Sequence, residues 1–198
     1  MHPGTRVLTG GDGQRFTFDA GSLSIELMAS GGPGAYQKWE VLHSPEDLQA
    51  WLADSRLAPL PELLLEKPDL GRIKHLRDTL WSIAPAIANG DPVHAADIET
   101  INGYAMAPPP RPRVDPSGLT LGWAVPVTGG QVLGAFAHDA LEVIGSEHLR
   151  SRLRECSGDN CKLIFLDTSR PGNRRWCSMD RCGNRNKVRS HRARRSLG

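Results

Sequence analysis

Cys156-Ser157-Gly158-Asp159-Asn160-Cys161 and Cys177-Ser178-Met179-Asp180-Arg181-Cys182, two segments separated by fifteen residues, hold every cysteine of a 198-residue chain. Two close pairs joined by a short insert are what a tetrahedral metal site needs. Each pair wraps one side of the ion and the insert folds the pairs together. Two disulfides or four unrelated thiols are the competing readings. A start without an apolar run behind a basic end does not read as a secretory leader, which disfavours disulfides. The paired spacing disfavours unrelated thiols. The expectation is one structural Zn2+ held by Cys156, Cys161, Cys177 and Cys182.

Between the pairs, Leu163-Ile164-Phe165-Leu166 reads as a strand, residues 168–173 as a turn, and Arg175-Trp176-Cys177 as the return strand. Ser178 can cap a following helix, with Asp180 in its first turn. A loop with two ligands, a hairpin, and two more ligands at a helix start resembles the treble-clef zinc finger. So small a module buries little apolar surface, and metal binding should supply about 10 kcal/mol of its folding energy. Four thiolates on a divalent ion carry a net negative charge, which Lys162, Arg175 and Arg181 are placed to offset.

Working outward, the charge divides sharply. Residues 1–149 carry 18 acids against 10 bases, and residues 150–198 carry 14 bases against 4 acids. That reversal implies two modules, 1–149 as a regulatory or ligand-sensing domain and 150–198 as the finger. Beyond the last cysteine, Arg185, Lys187, Arg189, His191, Arg192, Arg194 and Arg195 follow with no acid among them. On a helix, Arg185, Arg189 and Arg192 share one face, and Lys187, His191 and Arg194 another. Arg174 and Arg175 add charge near the same end. Bases this dense repel one another, and a polyanion relieves the repulsion. DNA is therefore the expected partner, through phosphate contacts and an Arg or two reaching guanine edges. Two blander readings remain: a solvated tail, or docking of the basic finger on the acidic domain of its own chain.

The N-terminal region is mostly helical with a small β element. Leu23, Ile25 and Leu27 alternate as in a strand, yet Asp19 could cap a helix over the same residues; both readings stay open. Ser44-Pro45-Glu46-Asp47 starts a helix that buries Leu48, Trp51 and Leu52. Pro68-Asp69 starts a longer one, with Leu70, Ile73, Leu76, Leu80 and Ile83 at helical spacing, a kink or end at Pro85, and closure at Asn89-Gly90. Asp91-Pro92 starts another, burying Ile98, Ile101 and Tyr104. Residues 111–114 and 119–123 flank a turn at Asp115-Pro116-Ser117-Gly118 as a hairpin. Residues 130–144 form an amphipathic helix, and Ser146 caps a short helix to Leu153. The fold class is α+β.

Several tempting residues carry no chemistry. His138-Asp139 reads as a helix-surface pair, and His43, His75 and His94 lack metal spacing. Gly10-Gly11-Asp12-Gly13 lacks the Lys-Ser/Thr of a phosphate loop. Trp51, Trp81 and Trp123 fall at apolar positions and read as core, and Trp176 as packing near the metal site. No nucleophile and base pair up, so no enzyme is expected. The least charged stretch, 121–137, is too broken by Pro126 and Gly129-Gly130 to span a membrane. A cytoplasmic protein is the expectation.

Leu153-Arg154-Glu155-Cys156, Phe165-Leu166-Asp167-Thr168-Ser169-Arg170, Arg174-Arg175-Trp176-Cys177-Ser178-Met179 and Cys182-Gly183-Asn184-Arg185 resemble the CGNR zinc finger. Phe18-Asp19-Ala20-Gly21-Ser22-Leu23, the Asp47-Leu48 helix and the His138-Asp139-Ala140 helix resemble, more loosely, the ABATE domain that accompanies it. The resemblance implies a stress-induced bacterial transcription regulator whose four cysteines hold zinc and whose basic end binds DNA. Redox sensing through thiolate oxidation and zinc loss, or a protein-interaction finger without nucleic-acid affinity, are the alternatives.

Overall fold

Ser22 decides the reading of residues 23–27. Its backbone is extended and its hydroxyl accepts a hydrogen bond from the Ile25 amide, so the chain enters helix α1, Leu23–Met28. Asp139 completes this start, accepting from the Ser22 hydroxyl at 2.6 Å and the Ser24 amide at 2.7 Å. Asp139 is therefore a capping group for α1 and not half of a surface pair, while His138 beside it is exposed. All six α1 residues are buried, so the alternation of Leu23, Ile25 and Leu27 marks no solvent face and does not indicate a strand. Asp19, the other candidate cap, ends a strand instead.

The structure, a computed structural model, describes residues 3–195, with side chains described for 3–189 and Arg192. Strands β1, Thr5–Thr9, and β2, Arg15–Asp19, form an antiparallel hairpin before α1. A 3-10 helix, Gly34–Trp39, leads to α2, Pro45–Leu52, whose capping box is Ser44 with Asp47. The two-residue strand β3, Leu63–Leu64, precedes α3, Lys67–Asn89, which contains Pro85 and stops at left-handed Gly90. Helix α4, Ala95–Tyr104, starts after His94, three residues beyond the expected Asp91-Pro92. The hairpin β4, Pro112–Asp115, with β5, Thr120–Trp123, forms as expected. Next come β6, Val127–Thr128, parallel to β3, and α5, Gly129–Gly145, capped by Thr128 with Gln131. Helix α6 is a single turn, Glu147–Arg150, and does not reach Leu153.

Leu153 instead opens β7, Leu153–Glu155, which pairs antiparallel with β8, Ile164–Leu166. The β8 partner is thus the segment before the first cysteine, not Arg175-Trp176-Cys177. That return segment forms no ladder with β8; its Arg175 carbonyl accepts from the Ser157 amide at 2.9 Å. A π-helical turn, Met179–Gly183, follows and runs into α7, Asn184–Arg195. Ser178 stands at the start of that turn without a side-chain capping bond.

The core is continuous across residue 150. Helix α1 lies between α3 and α5 and also meets β8, while α3 meets β7. Leu153, Ile164, Phe165 and Leu166 are buried in the same cluster as Leu27, Leu80 and Phe136. The Leu166 amide donates to the Ala20 carbonyl at 2.8 Å. Gly21 makes that approach possible: it has φ +82°, and a Cβ there would collide with the Leu166 carbonyl. Among the described residues, no helix is long and apolar enough to cross a membrane.

Candidate metal centre and basic helix

The β7–β8 connection carries Cys156 and Cys161, and the π-helical turn carries Cys182 just after Cys177. All four sulfurs lie within 4.8 Å of one another. The Cys161–Cys177 and Cys177–Cys182 sulfurs are 3.7 and 3.6 Å apart. Four sulfurs at Zn–S distances of 2.3 Å in a tetrahedron are separated by about 3.8 Å, so the donor set fits the ion. Gly158 completes the fit, because a Cβ there would press on the Cys182 sulfur at 2.8 Å.

Thiols crowded this closely cannot all ionise without a cation. Hydrogen bonds from Cys161 and Cys177, with the Cys177 and Gly158 amides, hold Cys156 down to about 2. The same Cys156 contact pushes Cys161 up to about 12, and Cys177 is pushed up further by both neighbours and by burial. A divalent ion removes this conflict by deprotonating its ligands together. The Cys177 amide donates to the Cys156 sulfur at 3.2 Å, which aims that ligand and offsets its charge. Of the three cations expected to balance the site, Arg181 reaches a sulfur, that of Cys182 at 3.9 Å. Lys162 pairs with Glu155 at 2.5 Å, and Arg175 lies over the Trp176 ring at 5.2 Å.

Arg174 behaves unlike its neighbour Arg175. Its guanidinium donates to the carbonyls of Asp19, Trp176 and Cys177 and lies 4.1 Å over the Phe165 ring. It ties the metal loop to β2 and is half-buried. Asp167, fully buried, shapes the same loop by accepting from the Ser169 amide at 2.9 Å and the Arg174 amide at 2.7 Å. Sequence reasoning missed both roles. A short acid followed two and seven residues later by the amides it receives was the available signal.

Helix α7 leaves the metal centre carrying Arg185, Lys187, Arg189 and Arg192, all exposed. Arg194 and Arg195 belong to α7 by backbone, and their side chains lie outside the described residues. Arg185 forms an ion pair with Asp12 in the β1–β2 turn, which Arg181 also approaches at 3.6 Å. Gln14 in that turn donates to the Asp180 carbonyl at 3.3 Å. Arg189 pairs with Asp159 of the finger. Lys187, Arg192 and Arg175 make no ion pair among the described residues. An open groove of about 670 Å³ runs along the helix past Gln14, Arg181, Arg185, Val188, Arg189 and Arg192.

Residues 21–147 match the ABATE family, described as "Putative stress-induced transcription regulator", and residues 152–195 match the CGNR zinc finger. Among curated proteins, none matches the chain. The cysteine cluster inside the CGNR match is the site of one structural Zn2+.

Proposed function

Since the chain belongs to the ABATE family and ends in a CGNR zinc finger, we propose that it is a zinc-dependent, DNA-binding transcription regulator. In this reading residues 1–149 form the regulatory domain and residues 150–198 contact the nucleic acid. The observation that carries it is α7, a helix without an acid and with four exposed cations among its described side chains, which starts directly after the turn that carries Cys182. Twelve helical residues span about 18 Å, enough to lie along a major groove about 12 Å wide. Among the described side chains, Lys187, Arg192 and Arg175 are exposed cations without an ion pair and are open to phosphate. Arg185 and Arg189 become available once DNA replaces Asp12 and Asp159 as their partners. Burial of the cysteines, between 1 and 7 % exposed, favours a structural centre over a thiol sensor, whose sulfurs need solvent access.

The test is selection of bound sequences from random duplex DNA by the full-length, zinc-loaded protein, followed by salt titration. With three to five phosphates neutralised, log K should fall with log salt at a slope of about −3 to −4.5. Chelation should abolish binding. Affinity that persists at high salt or without zinc overturns the reading. A partner protein held through the finger, with no nucleic-acid affinity, would replace it.

A further inference from the structure

Between the β1–β2 hairpin, the 3-10 helix and the finger lies a cleft of about 620 Å³, within the range of small-molecule sites. Its walls are aromatic. Tyr36 and Trp81 stack with ring centroids 3.8 Å apart and an interplanar angle of 17°. The Trp81 indole is fixed by its bond to the Gly31 carbonyl at 2.8 Å. Trp39 and Phe16 line the same space, with Met28 and Val41 as aliphatic floor and edge. Trp39 and Val41 remain 39 and 49 % exposed, so apolar surface here is left open to a ligand.

The rim has one sign of charge in excess. Lys38, Lys162, Arg181 and Arg185 line the cleft against a single carboxylate, Asp12. Lys38 sits 5.3 Å over the Trp39 ring and makes no ion pair among the described residues. Asp12 is shared between two arginines, and Arg181 meets it only at 3.6 Å. The Arg181 guanidinium lies 4.9 Å over the Phe16 ring and reaches the Cys182 sulfur at 3.9 Å, so its charge is fixed at the edge of the cleft. Lys162 is held by Glu155 and Arg185 by Asp12, which leaves Lys38 as the rim cation without an ion pair among the described residues. Flat aromatic walls select a planar apolar body, and Lys38 selects a negative charge at its edge.

We propose that this cleft binds a small planar aromatic carboxylate, its ring against Trp39 and the Tyr36–Trp81 wall and its charge toward Lys38 and Arg181. The site is built from both the hairpin domain and the finger, since Lys162 and Arg181 lie beside the metal ligands Cys161 and Cys182. It stands independently of the DNA reading, because its test contains no nucleic acid.

The experiment is calorimetric titration of the zinc-loaded, full-length protein with 2-naphthoate and, separately, with uncharged naphthalene-2-carboxamide. Saturable 2-naphthoate binding is expected, with the carboxamide weaker by about tenfold or more. Trp39→Ala should weaken 2-naphthoate by about tenfold. Lys38→Glu, at an exposed position, should weaken 2-naphthoate by a larger factor than the carboxamide, and an equal loss for both would overturn the charge assignment. Zinc content and the unfolding midpoint confirm that each variant folds. No saturation at millimolar 2-naphthoate, equal affinity for the carboxamide, or unchanged binding by Trp39→Ala would each overturn the proposal.

Discussion

Glu40 closes the 3-10 helix that carries Tyr36 and Trp39, and replacing it by Gln tests how that segment is held. Its carboxylate accepts from Arg77 through both oxygens at 2.9 Å each, from Lys74 at 2.9 Å and from the Leu42 amide at 2.9 Å. Arg77 is 1 % exposed, so Glu40→Gln leaves a buried guanidinium with Asp78, at 3.0 Å from its Nε, as its remaining carboxylate. Burial alone would raise the Glu40 carboxyl, but the bonds from Arg77, Lys74 and Leu42 overcome it and lower the pKa to about 2 from 4.5. At about 1.4 kcal/mol per unit, reduced for the partly open carboxylate, this is about 2–3 kcal/mol. Breaking one side of a buried pair costs about 3–5 kcal/mol, so about 3 kcal/mol is expected at pH 7. Because the folded pKa is depressed, the stabilisation is complete above the unfolded value near 4.5 and is lost as pH falls toward 2.

Urea unfolding of wild type and Glu40→Gln at pH 7, and then at steps from 5 to 3, measures both quantities. Loss of zinc in acid is common to the two proteins, so the difference between their stabilities is the readout. That difference should shrink as pH falls. The double variant Glu40→Gln/Arg77→Met should recover part of the loss, since it removes the stranded charge. A cost below about 1 kcal/mol at pH 7, or a difference independent of pH, would refute the reasoning.

Chelation of zinc should lower the urea midpoint of the whole chain as one transition, read from tryptophan fluorescence, to which Trp39, Trp51, Trp81 and Trp123 of residues 1–149 contribute, as well as from helicity. An N-terminal transition unchanged by chelator would contradict the shared core. Asp12→Asn should raise DNA affinity by about two- to five-fold by releasing Arg185 from an exposed pair worth less than 1 kcal/mol. Equal or weaker binding in a filter or anisotropy assay would show that Asp12 does not compete with phosphate. Asp139→Ala should cost about 1–2 kcal/mol through the lost α1 cap, measured by thermal unfolding, and a neutral change would deny that role.

The metal centre was readable because its four donors lie within twenty-seven residues and their spacing is itself the signal. Helices α2, α3 and α5 were equally open to inspection, since Ser44, Gly90 and the apolar stripe through Ile73 and Leu80 act locally. What stayed hidden depends on distant partners. Strand β1 is five residues whose pairing with β2 and contact with Trp51 through Arg6 only exist once folded. Helix α1 is buried on every side, so the alternation of Leu23, Ile25 and Leu27 marks no exposed face. Arg174 and Arg175 look alike in sequence, yet one is bonded to carbonyls of β2 and the metal loop while the other is exposed. The β7–β8 pairing was missed because the ladder brackets the first cysteine pair instead of separating the two pairs.

Because β7 and β8 complete the packing of α1 and α3, the finger is no detachable cartridge. A chain cut after residue 149 would lose Leu153, Phe165 and Leu166 from its own interior and strand the Ala20 carbonyl that Leu166 satisfies. In a cell, marginal stability is read out by proteases, and a loss of a few kcal/mol lowers abundance several-fold. Zinc supply would thus set how much of this protein persists: scarcity would lower its level by turnover of the destabilised metal-free chain.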